Sequence, residues 1–263
     1  LGLNIIFGVL DIVNFAHGSL LILGPYATLF IPPAPAPTQG AAMLQVAGPA
    51  AVALAPNPGP MTLEGTNTWV LRQPGVAGCI VIDPGPLLEE HLQAVAQQGP
   101  VTQILLTHGH YDHSEGAVRL AALTGAPVRA LDPAHSLGDE GLGAGDVVAG
   151  GGLELRVLAT PGHSSDSLSF VLPDAVLTGD TILGRGTTVV AHPDGVLQHY
   201  LDSLKRLRDL GDVAVLPGHG PELPHAGVAA QRYLDHRAQR LAQVSAAVAA
   251  SRVRPRPTVE VVC

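Results

Sequence analysis

From residue 68 onward, short apolar runs alternate with amphipathic stretches, and the two periods predict different elements. Cys79–Ile82 and Ile104–Leu106 are unbroken apolar runs, the pattern of strands buried on both faces. Leu153, Leu155 and Val157 alternate with Glu154 and Arg156, which predicts a strand with one solvated face. Leu197, Tyr200, Leu201, Leu204 and Leu207 recur at three and four and predict a helix. A second helical stretch, over roughly 225–250, carries Tyr233, Leu234, Leu241 and Val244. Strands mixed with helices and joined by Gly- and Pro-rich turns indicate an α/β or α+β sandwich.

The first sixty residues follow neither period. Residues 12–31 hold no Asp, Glu, Lys or Arg, long enough by count for a membrane span. No Lys or Arg precedes Arg72, so no charge orients such a span and no basic segment marks a signal peptide. The stretch LGLNIIFGVLDIVNFAHGSLLILGPYA resembles the first membrane segment of branched-chain amino-acid ABC transporter permeases. Residues 1–31 are therefore expected to be an apolar extension left by a fusion or a gene-boundary error, with Asp11 and His17 inherited in it. A working membrane anchor is the alternative. Residues 32–60 read as a Pro/Ala/Gly-rich linker, 57–250 as the folded domain, and 251–263 as the truncated start of a C-terminal element.

Composition narrows the partners. Fourteen Lys and Arg against twenty-two Asp and Glu give a net charge of −8 without a basic stripe, which argues against duplex DNA. Cys79 and Cys263 cannot build a disulfide framework or a thiolate zinc site, and a cytoplasmic location is expected unless residues 1–31 attach the chain to a membrane. The twelve histidines are more telling, because five of them fall in Gly-flanked segments between 108 and 219.

Thr107-His108-Gly109-His110-Tyr111-Asp112-His113 directly follows Ile104–Leu106. His108 and His110, two apart on an extended turn, project to one side and can share a metal. Asp112 and His113 can reach a second ion beside it. Imidazoles with a carboxylate and no thiolate suit catalytic Zn²⁺ or another first-row divalent cation. Thr160-Pro161-Gly162-His163, Thr178-Gly179-Asp180 and Pro217-Gly218-His219-Gly220 each put one ligand-capable residue after a strand-like stretch, where open α/β sheets place their sites. Asp83 closes the run Cys79–Ile82; a carboxylate there either orients a ligand histidine from behind or caps a turn.

The order Asp83, H-x-H-x-D-H, His163, Asp180, His219 resembles the metallo-β-lactamase fold superfamily over about residues 57–250. Asn57-Pro58-Gly59-Pro60, Gly65-Thr66-Asn67-Thr68, Gly179–Gly184 and Gly186-Thr187-Thr188 are more narrowly similar to its beta-lactamase-like protein 2 group, which includes a mitochondrial single-strand endoribonuclease. The resemblance implies a four-layer αβ/βα sandwich with two divalent ions, Zn²⁺ first and Mn²⁺ or Fe as alternatives. His108, His110 and His163 would hold one, Asp112, His113 and His219 the other, and Asp180 would bridge them. Asn67 and Thr68 are expected in a loop behind the ligands. True β-lactamases of the superfamily generally lack a bridging Asp at the position of Asp180, one major class having Cys there, whereas glyoxalase II, lactonases and RNase Z-like nucleases share it. The group also continues into a small helical C-terminal domain.

The expected chemistry is hydrolysis by a metal-bridging hydroxide, with Asp112 orienting or deprotonating the water. Phosphodiester cleavage of single-stranded RNA, endoribonuclease-like, ranks first on the group resemblance. Hydrolysis of a small-molecule thioester (hydroxyacylglutathione hydrolase-like) or lactone ranks second, with β-lactam hydrolysis at most a side activity. A membrane-attached or chimeric product without activity is the non-enzymatic alternative. Ser164 and Ser165 sit beside His163 as turn formers or site lining. His91, His199 and His236 read as solvated helix faces, His135 and His192 as loop residues, His225 as the opening of the last helix, and Lys205, Arg206 and Arg208 as a solvated face.

Overall fold

In the computed structural model, which describes residues 44–45 and 48–253, the apolar runs pair into two sheets. The expected apolar extension 1–31, the first part of the expected linker and residues 254–263 lie outside the described residues. The first sheet runs β1 (Leu44–Gln45), β2 (Ala50–Leu54), β3 (Asn67–Leu71), β4 (Cys79–Ile82), β5 (Val101–Leu105) and β6 (Val128–Arg129), with β4, β5 and β6 mutually parallel. The second contains β7 (Val147–Gly150), β8 (Leu153–Ala159), β9 (Leu168–Val171), β10 (Ala175–Gly179) and β11 (Ala214–Pro217), in the order β11-β10-β9-β8-β7. Five α-helices are described: α1 (Glu89–Ala96), α2 (Tyr111–Ser114), α3 (Ala117–Thr124), α4 (Leu197–Arg208) and α5 (Ala226–Val253).

Neighbouring residues of one strand feed different cores. Ile80 and Ile82 of β4 pack with Leu155, Val157, Phe170 and Leu177 between the sheets, while Cys79 and Val81 turn to Leu92 and Val95 of α1 and Leu120 of α3. In β10, Leu177 enters the inter-sheet core and Val176 packs under Tyr200, Leu204 and Leu207 of α4 and Tyr233 of α5. Helices, sheet, sheet and helices are thus stacked in four layers, the expected αβ/βα sandwich. Burial on both faces is why β4 reads as an unbroken apolar run, and the alternating exposure of β8 is why it reads with period two. Truncating Leu204 to Ala in this packing costs about 2–5 kcal/mol.

Part of the expected linker is strand. Ala50–Leu54 is β2, paired with β3 from Ala50 opposite Leu71 to Leu54 opposite Asn67. Ala50 and Ala53 are buried. Alanine's weak strand propensity hides this element in the sequence, and cross-strand pairing supplies it. Asn67 and Thr68 likewise lie in strand β3, not in a loop. Among the described residues, no helix is long and apolar enough to cross a membrane.

Helices α4 and α5 also grip the site. Tyr200 Oη donates to Thr181 O (2.9 Å) and Leu183 N donates to Tyr233 Oη (3.0 Å), so the turn after Asp180 is held from below. Gly162, with φ +139°, lies against the backbone of α4, where a Cβ would come within 2.3 Å of Tyr200 N. Only glycine allows the chain to reach His163 along this path.

Candidate functional site

Residues that follow β4, β5, β8, β10 and β11 converge into one cluster. His110 Nδ1 lies 3.1 Å from both His108 Nε2 and His163 Nε2. His113 Nε2 lies 3.2 Å from His219 Nε2, and Asp112 Oδ2 is 3.1 Å from His219 Nε2 and 3.6 Å from His113 Nε2. Asp180 stands between these groups. Its Oδ1 is 3.4 Å from His113 Nε2 and 3.5 Å from His219 Nε2, while its Oδ2 is 3.7 Å from His163 Nε2. Three overlapping sets could each hold a metal ion: His108, His110 and His163; His108, His113 and Asp180; Asp112, His113 and His219.

The far nitrogens of the rings are already committed. His163 Nδ1 donates to Val189 O (2.8 Å) and His219 Nδ1 to Gly65 O (3.0 Å). Asp83 fixes two more. Its Oδ2 lies 2.8 Å from His113 Nδ1 and accepts from Thr107 Oγ1 (2.7 Å), and that hydroxyl is 3.0 Å from His108 Nδ1. Thr107 N donates to Asp83 Oδ1 at 2.8 Å. With Nδ1 committed in this way, it is Nε2 of His108, His113, His163 and His219 that faces inward and would be the ligand atom, once any proton on it is lost. Asp83 therefore reaches one histidine of each group, directly on one side and through Thr107 on the other. It adopts φ +51°, a left-handed conformation that Asp tolerates better than most residues.

The cluster suits a cation on its own geometry. Asp180 Oδ1 is buried with no partner in hydrogen-bond geometry. Only the His113 and His219 Nε2 atoms face it, at 3.4 and 3.5 Å, and a cation among these atoms would give it a direct partner. A Cβ on Gly218 would lie 2.6 Å from that oxygen and 2.7 Å from His113 Cε1, so glycine keeps the space clear.

Charge divides the two sides. Burial and the neighbouring histidines push His108 well below, and His110 below, the ordinary imidazole pKa. Burial opposes protonation of His113 and His219 too, but Asp180 and Asp83 lift His113 well above the usual value, and Asp180 with Asp112 lifts His219 to about 9. Asp180, although burial disfavours its charge, is held well below the carboxylate range by His113 and His219.

Other expected residues fall as follows. Asn67 Nδ2 donates to Pro217 O (3.0 Å) and Gly220 O (2.8 Å), clamping the His219 loop through its backbone. His91 is not solvated: it is buried beside Leu92 and Val95 on the inner face of α1, its Nε2 2.9 Å from Thr68 Oγ1, and burial lowers its pKa to about 4. His135 packs on the H-x-H loop, its Nε2 2.4 Å from where a Cβ on Gly109 would sit. His192 and His199 are exposed, His236 is half-buried, and His225 pairs with Asp212 just before α5. Lys205, Arg206 and Arg208 are exposed.

Two residues escape sequence reasoning. Asp166 accepts from Gly109 N (2.8 Å) and Ser164 Oγ (2.7 Å), pinning the H-x-H turn. Asp194 accepts from Ser165 N (2.9 Å) and Oγ (2.7 Å) and faces His110 Nε2 at 3.9 Å. Neither belongs to a motif; only Asp166, two residues after Ser164, carries the weak signature of a local hydroxyl–carboxylate turn. A cavity of about 190 Å³ opens onto the cluster, lined by Met61, Val189, Ala191 and Asp194 beside His110, Asp112, His163 and Asp180.

A carboxylate set between two imidazole groups at the edge of a four-layer sandwich marks a class of dinuclear metal proteins. Residues 61–219 match the metallo-beta-lactamase superfamily, and the chain belongs to it. It is 33% identical over 204 residues to a Caenorhabditis elegans beta-lactamase-like protein 2 homolog, covering 70% of this chain and 65% of that one. It is 34% identical over 200 residues to the atrochrysone carboxyl ACP thioesterase of Aspergillus fumigatus, covering 72% and 61%. The chain thus spans just under two thirds of the length of these curated relatives. Among solved structures it is similar to TTHA1623 in a di-iron-bound form, with TM-score 0.54 and 28% identity, covering 66% of this chain and 95% of that one.

Proposed function

We propose that this chain is a dinuclear metal hydrolase that cleaves an acyl thioester. The observation that carries the hydrolase assignment is Asp180, with one oxygen toward each histidine group and Oδ1 buried without a hydrogen bond. His108, His110 and His163 would hold one divalent cation and Asp112, His113 and His219 the other, with Asp180 shared. Cations held there supply Lewis acidity, lowering the pKa of water and polarising a substrate oxygen. Zn²⁺ suits the imidazole-rich set, and Mn²⁺ or Fe is an alternative.

The chain's own residues do the rest. Asp112 places Oδ2 against His219 and leaves Oδ1 to orient the attacking water and take its proton. Water oxygen joins the acyl carbon, the carbon–sulfur bond breaks, and the thiolate leaves, taking up a proton from solvent. Met61, Val189 and Ala191 give the cavity the apolar wall against which the substrate would lie.

The thioester now ranks above RNA. Among the described residues no Lys or Arg lines the cavity, and Asp194 adds a negative charge to it, so beyond the cations themselves the lining offers nothing to attract a phosphodiester backbone. Similarity to a named thioesterase supports the same order. Single-stranded RNA stays as the second reading because of the 33% identity to a beta-lactamase-like protein 2 homolog. The proposed location is the cytoplasm, since the two cysteines cannot build a disulfide framework. The test is a panel on chain loaded with zinc, manganese or iron: acyl thioesters, S-lactoylglutathione, an acyl-homoserine lactone, bis(p-nitrophenyl) phosphate, single-stranded RNA and nitrocefin. Thioester turnover exceeding all others is expected. RNA cleavage without thioester turnover would reverse the order.

A further inference from the structure

The loop between β10 and α4 is tied down around Asp194. Val189 O accepts from His163 Nδ1 (2.8 Å), Gly195 N donates to Ala191 O (2.6 Å), and Val196 N donates to Gly162 O (3.0 Å). Gly195 is pressed against the backbone, where a Cβ would lie 2.7 Å from Ala191 N and 3.0 Å from His163 O. The Asp194 carboxylate is itself aimed, since Oδ1 accepts both hydrogen bonds from Ser165. Its Oδ2 faces His110 Nε2 at 3.9 Å, beyond hydrogen-bond range, and the side chain is 46% exposed where it lines the cavity. Of the other carboxylates of the lining, Asp112 lies within 3.6 Å of the His113 and His219 nitrogens, and Asp180 within 3.7 Å of those of His113, His163 and His219. Asp194 thus stands outside hydrogen-bond range of the cluster's histidines, although His110 and His163 act on its charge, and its half-exposed Oδ2 side is open to a substrate.

We propose that Asp194 is a specificity-determining residue, selecting thioesters with a neutral or cationic thiol arm against those with an anionic one. The assignment rests on the thioester reading. A thiol arm lying in this cavity would have apolar Met61, Val189 and Ala191 and the Asp194 carboxylate around it. An amide N–H a few bonds beyond the sulfur can donate to Oδ2, as on a pantetheine-like arm. A carboxylate in the same place meets like charge that solvent screens only in part. The substrate class is therefore an acyl thioester on a neutral, amide-bearing arm, in preference to one on a carboxylate-rich thiol such as glutathione.

The test compares acetyl thioesters of thiocholine, N-acetylcysteamine and 3-mercaptopropionate on the full metal-loaded chain at fixed ionic strength. The parent should prefer the cationic and neutral arms, and the cation-to-anion ratio of kcat/KM should fall ~10-fold in Asp194→Asn, mainly through KM. Added salt should lower the ratio in the parent more than in the variant. Ser165→Ala, which frees the carboxylate, should lower the ratio by a smaller factor and covers the case in which Asp194→Asn does not fold. Metal content is measured alongside. A ratio unmoved in variants that keep two metals overturns the assignment. Loss of a metal in Asp194→Asn overturns it as well, because Asp194 would then be positioning His110. No turnover of any of the three esters by the parent sinks the thioester reading itself, and the assignment with it.

Discussion

His108 and His110 on one side of Asp180, and His113 and His219 on the other, belong to one cluster yet have opposite proton affinities. The difference lies in which neighbours each pair has. The first pair faces mainly other imidazoles, whereas the second is surrounded by Asp83, Asp112 and Asp180. Neutral imidazoles can accept a cation without first losing a proton. The second group uses protons as its positive charge until a cation displaces them. Burial thus biases the first pair toward the neutral form, and the surrounding carboxylates bias the second toward the charged form.

Removing Asp180 attacks the comparison at its pivot. Asp180→Asn keeps the shape but removes the shared charge, so turnover should fall ~10²–10³-fold. The second metal should weaken more than the first, which keeps three histidines. Zinc titration followed by turnover checks this, and a variant that binds two metals and works like the parent would break the pairing.

Asp83→Asn should be milder, ~10–100-fold in metal affinity or activity, and should affect both groups because Asp83 touches His113 directly and His108 through Thr107. Thr107→Val sharpens the comparison by cutting only the His108 branch. Its weakened affinity should fall on the first group, and equal weakening of both would contradict the relay.

Acidity separates the groups without mutation. As pH drops from 9 toward 6, zinc affinity should fall more at the second group, and calorimetry in buffers of different ionisation enthalpy should detect proton release. The folded pKa of His219, about 9, lies above its unfolded value of about 6.5. Its stabilisation is therefore complete below pH 6.5 and lost as pH rises through 9, on the order of 3 kcal/mol. Metal-free protein should lose thermal stability over that window, and zinc-loaded protein should not. A flat metal-free profile would remove the proton-balanced site.

Asn67→Ala is the smallest change. Gly220 O loses its Asn67 donor while Pro217 O keeps the one from Trp69 Nε1 (3.0 Å), at about 1–3 kcal/mol of stability. Activity should stay within a few-fold, because Asn67 touches backbone and not a ligand ring; a loss as large as that of Asp83→Asn would give it a direct role.

Much of this site was legible in the sequence because strand ends and glycine turns put the chemistry at fixed offsets. H-x-H-x-D-H follows β5, Asp180 follows β10 and His219 follows β11, and each apolar run advertises its strand. What stayed hidden depends on long-range pairing. Strand β2 is spelled AAVAL, which looks like linker until β3 pairs with it. His91 has the polar character of a surface residue, but its place beside Leu92 and Val95 turns it inward to Thr68. Asp194 lies in a loop with no periodicity or motif, and its role emerges only when Ser165 and His110 come close in space. Tautomer choice and the opposite charge states of the two groups likewise depend on neighbours that no local spacing encodes.

The central claim is that two cations sit on either side of Asp180, the second in exchange for protons. Elemental analysis of chain loaded with zinc and freed of loose metal tests it most directly. The account predicts close to two ions per chain at pH 8, falling toward one at pH 6 as the second group reprotonates. A chain that retains no more than one ion at pH 8, after loading with zinc, manganese or iron in turn, or that keeps two unchanged at pH 6, would contradict it.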